Sequence, residues 1–185
     1  EGFISAQASV ADVTVDEKGR TVAVVAIEEG LRYRFRTIHV ATDGGLTEAE
    51  ALPLTGLKAG APANPVLVDK ARVLLLAELS KKGYTQASVE QEVAVSPTEP
   101  KVDVTLKITS GLQRLVGSVV VSGNARTESE VILRELSFER GKPLNSEDIL
   151  TSRRRLYRLG FFQDVQIAPV GEPRADGSVD IAVTV

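Results

Sequence analysis

The sequence repeats itself with a period of about 80 residues, and this repeat limits the possible folds more than any other feature. A glycine-aromatic pair occurs three times, as Gly2-Phe3, Gly83-Tyr84 and Gly160-Phe161. The period predicts two complete small modules and the end of a third, an arrangement more typical of scaffolds and binding units than of enzymes. Glycine, proline and apolar positions recur at a constant offset of 81: Gly30/Gly111, Phe35/Val116, Ile38/Val119, Val40/Val121, Gly60/Gly141, Pro62/Pro143 and Asn64/Asn145.

The module boundaries are predicted at glycines that directly follow β-strands. Residues 1–30 are interpreted as the closing hairpin of a preceding module, residues 31–111 as one complete module and residues 112–185 as a second. Because the chain begins with Glu1 inside a module, we expect it to be part of a longer protein. The opening hairpin has no helices of its own, so we expect it to lean on the next module; pairing with another chain, or poor order, is the alternative.

Composition removes several classes of function. A net charge of −3 argues against non-specific binding to nucleic acid, which requires a basic surface. The absence of cysteine excludes disulfides, thiolate metal sites and a cysteine nucleophile. The single histidine, His39, has no partner residues in sequence for metal binding or acid-base chemistry. We therefore expect no cofactor and no enzymatic activity; a compact α+β hydrolase is the alternative from another class.

Each complete module reads strand-helix-helix-strand-strand. In the first, a strand at 33–41 changes parity between Phe35 and Ile38, which predicts a bulge. Thr47 is predicted to cap a helix over 48–55, and Asn64-Pro65 to start a longer helix that ends near residue 82. A hairpin of strands at 84–95 and 102–108 completes the module.

The second module repeats this order. A strand is expected at 114–122, a helix capped by Thr127, a helix capped by Asn145, and a hairpin at 161–170 and 178–185. The interval from Gly60 to Gly83 is four residues longer than that from Gly141 to Gly160. Four residues are about one helical turn, so the second helix of the first module should be one turn longer.

The predicted fold class is α+β, with a three-stranded mixed sheet covered on one face by two helices in each module. The other sheet face is expected to meet water. A three-stranded sheet has two edges whose peptide groups lack partners, and an extended peptide can pair with such an edge through main-chain hydrogen bonds. Edge-strand augmentation is therefore the expected binding mechanism.

The second module resembles a POTRA (polypeptide-transport-associated) domain from end to end, and the first resembles one more loosely. The resemblance is carried by Val119-Val120-Val121-Ser122-Gly123-Asn124, by Val131-Ile132-Leu133-Arg134-Glu135-Leu136, by Gly141, and by Arg155 to Val165. In the first module, Thr42-Asp43-Gly44-Gly45 stands where the family usually has Gly-Asn.

This resemblance implies the periplasmic part of a Gram-negative outer-membrane protein, N-terminal to an outer-membrane β-barrel of its own. BamA-like and TamA-like assembly proteins fit equally, and the second module looks like the barrel-proximal one. The implied partners are unfolded outer-membrane proteins and accessory assembly lipoproteins, not nucleic acid. A two-partner-secretion-type transporter is the alternative; division proteins carry a single POTRA module.

The resemblance also points to the strand after the second helix as the preferred augmentation site. The edge could instead be blunted by charge, or covered by the neighbouring module. The expected client-binding or partner-binding residues are Tyr84, Gln86, Ser88, Glu90, Glu92 and Val93 in the first module and Phe162, Asp164 and Gln166 in the second.

A basic run in the second module is a further candidate. Arg153, Arg154, Arg155 and Arg158 could contact barrel turns or anionic lipid headgroups. The alternative is an ordinary solvated helix face, partly paired with Glu147 and Asp148, in which each surface pair contributes only about 0–1 kcal/mol.

Overall fold

The computed structural model describes residues 2–15 and 19–185. The predicted turn at Asp16-Glu17-Lys18 lies outside the described residues, as does Glu1. The elements in chain order are β1 (Gln7–Val15), β2 (Thr21–Glu28), β3 (Arg34–Thr42), α1 (Glu48–Thr55), α2 (Pro65–Lys81), β4 (Ser88–Val95), β5 (Lys101–Thr109), β6 (Leu115–Ser122), α3 (Ser129–Arg134), α4 (Ser146–Arg158), β7 (Gln166–Val170) and β8 (Ser178–Thr184).

Two three-stranded mixed sheets confirm the α+β prediction. Their strand orders are β3-β5-β4 and β6-β8-β7, so the last strand of each module is the central one. The first strand of each module runs parallel to the central strand, and the strand after the second helix runs antiparallel to it. β4 and β7 therefore lie at sheet edges, as the resemblance implied.

Each module has its own core between the helices and the central strand. In the first module α2 contributes Leu75 and Leu79, both fully buried, because apolar residues three to four positions apart form one stripe of the helix. Leu156 of α4 has the corresponding role in the second module. The alternate buried residues of the central strands complete the cores: Val102, Val104, Leu106 and Ile108 in β5, and Val179, Ile181 and Val183 in β8.

The helix ends follow the predicted capping chemistry in three of four cases. Thr47 and Glu50 form the predicted capping box, and these hydrogen bonds, together with Lys82 Nζ 3.0 Å away, lower the pKa of Glu50 to about 2. Asn64 and Asn145 each accept a hydrogen bond of 3.0 Å from the amide two residues ahead. α2 has 17 residues and α4 has 13, which confirms the difference of one turn.

The predicted cap at Thr127 is wrong. The N-cap of α3 is Glu128, which makes no capping hydrogen bond through its side chain. The carboxamide of Asn124 donates to the carbonyl of Thr127 at 2.8 Å and to Ser129 Oγ at 3.1 Å, so the turn is held by Asn124 and the helix begins one residue later than predicted.

The predicted bulge is present in both modules. The pairing register shifts between Phe35 and Ile38 in β3, and between Val116 and Val119 in β6. A carboxylate of the central strand holds each bulge: Asp103 accepts from the amide of Thr37 at 3.2 Å. Asp180 accepts from the amide of Ser118 at 2.6 Å.

The opening hairpin pairs β1 with β2 in antiparallel fashion, and all described residues of these two strands are exposed. The expected leaning on the first module is confined to residues just before β1, and the two strands themselves do not show it: the amide of Tyr33 donates to the carbonyl of Gly2 at 2.7 Å. The Phe3 ring lies 6.0 Å from the guanidinium of Arg32. Among the described residues, no helix is long and apolar enough to cross a membrane.

Candidate sheet-edge binding site

The outer edge of β4 is the longest regular edge of the two three-stranded sheets. β4 has eight residues, pairs with β5 without a register shift, and has no strand on its other side among the described residues. It contains no proline, so every residue carries an amide donor. Its outer row of peptide groups is therefore available for main-chain pairing.

The direction of these peptide groups follows from one hydrogen bond at the end of the strand. The amide of Ser96 donates to the carbonyl of Lys101 at 2.9 Å and so points toward β5. Peptide groups alternate in direction along a strand, so those of Ala94, Glu92 and the other even-numbered residues also point toward β5. The outward groups accordingly belong to Val89, Gln91, Val93 and Val95, none of which except Val93 was predicted from the sequence.

The edge of β7 is much less suited to pairing. The strand has only five residues and includes Pro169, which has no amide hydrogen. A proline is tolerated in an edge strand where its nitrogen faces away from the ladder, so the alternation leaves Ile167 as the one outward amide in β7. This blunting could have been read from the sequence, because Pro169 falls inside the predicted strand.

The other edge of each three-stranded sheet, formed by β3 or β6, is partly covered by its own module. At the start of β3 the loop before α2 already pairs with the edge. The amide of Phe35 donates to the carbonyl of Ala61 at 3.0 Å, and the amide of Gly60 donates to the carbonyl of Phe35 at 2.7 Å. The same arrangement closes the start of β6, where Val116 donates to Lys142 at 2.8 Å. The bulge then interrupts each strand.

Four of the residues predicted in the first edge strand lie in β4. Ser88, Glu90 and Glu92 are exposed on the face away from the helices, as predicted. Val93 lies on the helix side but is 47% exposed, because the helices cover this face of β4 only near Val89. The face of β4 that was predicted to be buried is therefore only partly buried.

Tyr84 and Gln86 do not belong to the edge strand, which begins at Ser88, and this corrects the predicted strand start. Tyr84 is partly buried against the core of the first module. Gln86 accepts a hydrogen bond of 3.3 Å from the guanidinium of Arg114 in the second module. These residues lie where the two modules meet. The apolar-polar alternation predicted a strand here, but the segment contacts the second module instead of pairing in the sheet.

Phe162 and Asp164 likewise precede the strand, which begins at Gln166. Phe162 packs against the second core, whereas Phe161 is 69% exposed. Asp164 accepts from Gln166 at 3.0 Å and from Tyr157 Oη at 3.2 Å, and these hydrogen bonds lower its pKa. The segment is thus folded back onto α4, which explains why β7 starts late.

A small apolar cavity of about 40 Å³ lies beside the β4 edge. Its lining includes the side chain of Val93, together with Val68 and Val102 from the core and Ile4 from the opening hairpin. No sequence pattern indicated Ile4, because the contact joins residues of two different modules. A cavity of this size can accept a methyl-sized group from a guest side chain.

The basic run of α4 is exposed at all four arginines, Arg153, Arg154, Arg155 and Arg158. Arg154 Nε makes a long 3.4 Å hydrogen bond to the carbonyl of Leu150. Within residues 19–185, none of the four forms an ion pair with Glu147 or Asp148, so the predicted pairing is not observed. Contact with a barrel or with lipid headgroups stays a prediction.

The described residues contain no group of three or more metal-ligating side chains. His39 is exposed and lies 3.2 Å from Glu48, with Nδ1 facing the carboxylate.

Two successive β-α-α-β-β units, each with an edge strand after its second helix, define a tandem array of small α+β modules. The chain belongs to the POTRA family, whose sequence profile, described as a surface antigen variable number repeat, matches residues 33–111 and 115–185.

Two related proteins support this assignment. The chain is 30% identical over 157 residues to the outer membrane protein assembly factor BamA of Neorickettsia risticii, a match that covers 84% of this chain and 21% of that protein. The corresponding protein of Neisseria meningitidis is 23% identical over 169 residues, covering 91% of this chain and 21% of the relative. The chain thus spans about a fifth of the relatives' length.

Solved structures show the same fold. POTRA domains 3–5 of Haemophilus influenzae BamA superpose with a TM-score of 0.64 at 22% identity, covering all of this chain and 73% of that one. BamA of Haemophilus ducreyi lacking POTRA domains 1–3 gives a TM-score of 0.69 at 21% identity, covering 82% of this chain and 29% of that one.

Proposed function

We propose that this chain is the periplasmic POTRA region of an outer-membrane protein assembly factor, and that its first complete module binds extended polypeptide at the outer edge of β4. The binding role is non-catalytic. The proposed guests are unfolded outer-membrane proteins or accessory assembly lipoproteins, and the proposed full-length protein carries its own C-terminal β-barrel. Supporting this, the chain is related to proteins named outer membrane protein assembly factor BamA.

The observation that carries the proposal is the row of outward peptide groups at Val89, Gln91, Val93 and Val95. A guest strand could pair with all four without displacing any strand of the module. Main-chain pairing demands little of the guest sequence, which suits a protein that must receive many different clients.

Two features beside the edge favour particular side chains in the guest strand. The cavity beside Val93 favours a small apolar side chain at the guest position that faces it. On the opposite sheet face, Glu90 lies directly across from Lys107 in the β4–β5 register, so its charge is partly offset. A guest with small apolar residues on one face and polar residues on the other fits both surroundings.

Replacing Val93 by proline tests this proposal directly. The substitution removes one outward amide and leaves the inward hydrogen bonds of β4 to β5 in place. We expect binding of a synthetic peptide with alternating apolar and polar residues, copied from an outer-membrane β-strand, to weaken about three- to tenfold, since one hydrogen bond contributes about 0.5–1.5 kcal/mol. Fluorescence anisotropy measures the Kd.

Val93→Ala is the matched control, because it shortens the same side chain but keeps the amide. The two variants should differ in Kd while retaining similar circular dichroism spectra and thermal midpoints. Equal peptide binding by folded Val93→Pro and Val93→Ala would rule out pairing at this edge, and binding that increases in Glu90→Gln and Glu92→Gln would show that charge blunts it.

A further inference from the structure

The junction between modules is built twice in this chain from three equivalent positions, each 81 residues from its counterpart. In the first copy the carbonyl of Gly2 accepts the amide of Tyr33 at 2.7 Å, and the carbonyl of Tyr33 accepts the amide of Ala63 at 2.9 Å. In the second copy Gly83 accepts from Arg114 at 2.8 Å, and Arg114 accepts from Leu144 at 2.8 Å. We call each such set a joint.

Both joints require a glycine for two independent reasons. Gly2 and Gly83 have φ angles of +90° and +89°, a conformation that L side chains rarely adopt. A Cβ on Gly83 would also lie 2.6 Å from the carbonyl oxygen of Arg114 and 3.1 Å from Pro143. The corresponding distances at Gly2 are 2.9 Å to Tyr33 and 3.3 Å to Pro62, so each glycine is covered closely by the module that follows.

Gly160 is the third glycine of this series, and its surroundings are open. It ends α4 with φ +73°, just as Gly83 follows α2, and its amide donates to Tyr157 at 3.1 Å as that of Gly83 donates to Ser80 at 3.0 Å. Nothing lies within 4 Å of the position that its Cβ would occupy. Gly2 and Gly83 are buried, whereas Gly160 is exposed and the adjacent Phe161 is 69% exposed.

We propose that Gly160 and Phe161 form an unfilled third joint, and that its occupant is the polypeptide that directly follows Val185 in the full-length protein. This inference rests on the proposed full-length protein, in which a C-terminal β-barrel follows this region; the matches cover only 21% of the relatives' length. The two filled joints show what such an occupant does: an extended residue shortly after the module's last strand donates its amide to the glycine carbonyl.

The position of the donor follows from the filled joints. Tyr33 comes five residues after the end of β2 at Glu28, and Arg114 comes five residues after the end of β5 at Thr109. The same spacing from Thr184, the end of β8, places the donor to Gly160 at about the fourth residue after Val185. Residues 123–127 and Val185 border a depression beside Phe161, which leaves room for the incoming chain.

Hydrogen-deuterium exchange of the full-length protein tests this inference, and it does not depend on peptide binding at β4. The peptide that follows Val185 should contain an amide protected to a degree similar to that of Arg114. Gly160→Asn, which keeps positive φ accessible but adds a Cβ, should accelerate exchange of that amide about tenfold or more. Gly83→Asn should accelerate hydrogen exchange of the Arg114 amide in the same way and is the positive control.

Gly141→Asn is the matched negative control, because Gly141 has φ +78° and open space at its Cβ position but belongs to no joint. It should leave the exchange rates of the Arg114 amide and of the amide after Val185 unchanged. The inference is overturned if the segment after Val185 exchanges as an open loop, if its protection survives Gly160→Asn in a folded protein, or if protection at Phe161 depends on protein concentration, which would indicate a second copy of the chain as the occupant.

Discussion

Asp103 Oδ1 accepts a 3.2 Å hydrogen bond from the backbone amide of Thr37, an amide that the β3 bulge removes from the ladder. The same carboxylate binds the guanidinium of Arg36, whose Nε donates at 3.0 Å, and the Thr37 hydroxyl. Asp180 holds the Ser118 amide of the second module in the same way, assisted by Arg174. In both modules, an aspartate of the central strand thereby provides the hydrogen-bond acceptor for a backbone amide at the bulge.

The first prediction concerns acid stability. Hydrogen bonds from Arg36 and then from Thr37 lower the pKa of Asp103 well below its usual range. The resulting stabilisation is complete above the unfolded-state pKa of about 3.9 and is lost as pH falls through the folded-state pKa. Asp103→Asn should lower the urea midpoint at pH 7 and narrow the difference in midpoint between pH 7 and pH 3.

Asp69→Asn is the matched control, since Asp69 pairs only with Arg72 on its own helix and holds no backbone irregularity. It should leave the midpoint at pH 7 almost unchanged. A midpoint for Asp103→Asn that falls with acid as steeply as that of the wild type would show that another group controls the acid response.

The second prediction concerns the buried hydroxyl of Ser152. Its Oγ donates to the carbonyl of Asp148 at 2.6 Å and accepts from the amide of Ser137 at 2.8 Å, which ties α4 to the segment after α3. Ser152→Ala leaves the Ser137 amide without a partner and should lower the free energy of unfolding of the second module by about 1–3 kcal/mol. Ser146→Ala, at an exposed position on the same helix, should change it by less than about 0.5 kcal/mol.

Thermal or urea unfolding followed by a probe in the second module measures the effect of these serine substitutions. Because the chain has two separate cores, a global signal can contain two transitions. Equal stability of the two variants would mean that water replaces the hydroxyl at Ser137.

The third prediction tests why β7 is a poor edge. Pro169→Val restores an outward amide and should give the second module a measurable affinity for the same strand peptide, determined in a Val93→Pro background that weakens the β4 edge. Ala168→Val adds similar bulk at a position whose amide points toward β8, so it should produce no gain. If both variants gained affinity for the peptide, the binding would be due to added apolar surface and not to main-chain pairing.

Local patterns predicted those features that depend on a few neighbouring residues. The bulge was visible as a parity change between Phe35 and Ile38, and the cap at Asn64 followed from Asn before Pro. The strand starts were placed too early, at Tyr84 instead of Ser88, because alternation of apolar and polar residues continues through a segment that contacts the next module. The carboxylates of Asp103 and Asp180 gave no local signal, because each partners a bulge more than 60 residues away.

The repeat and the spacing of its glycines, fixed by sequence alone, determined the number of modules, their element order and the one-turn difference between α2 and α4. These features depend on backbone preference and on the burial of periodic apolar residues, both of which are encoded over short stretches. Only the tertiary structure decided which amides of β4 face outward and which glycine lacks a neighbour. Those properties depend on what lies beside a residue in space, and the neighbours of Gly83 and Gly160 differ although the glycines themselves do not.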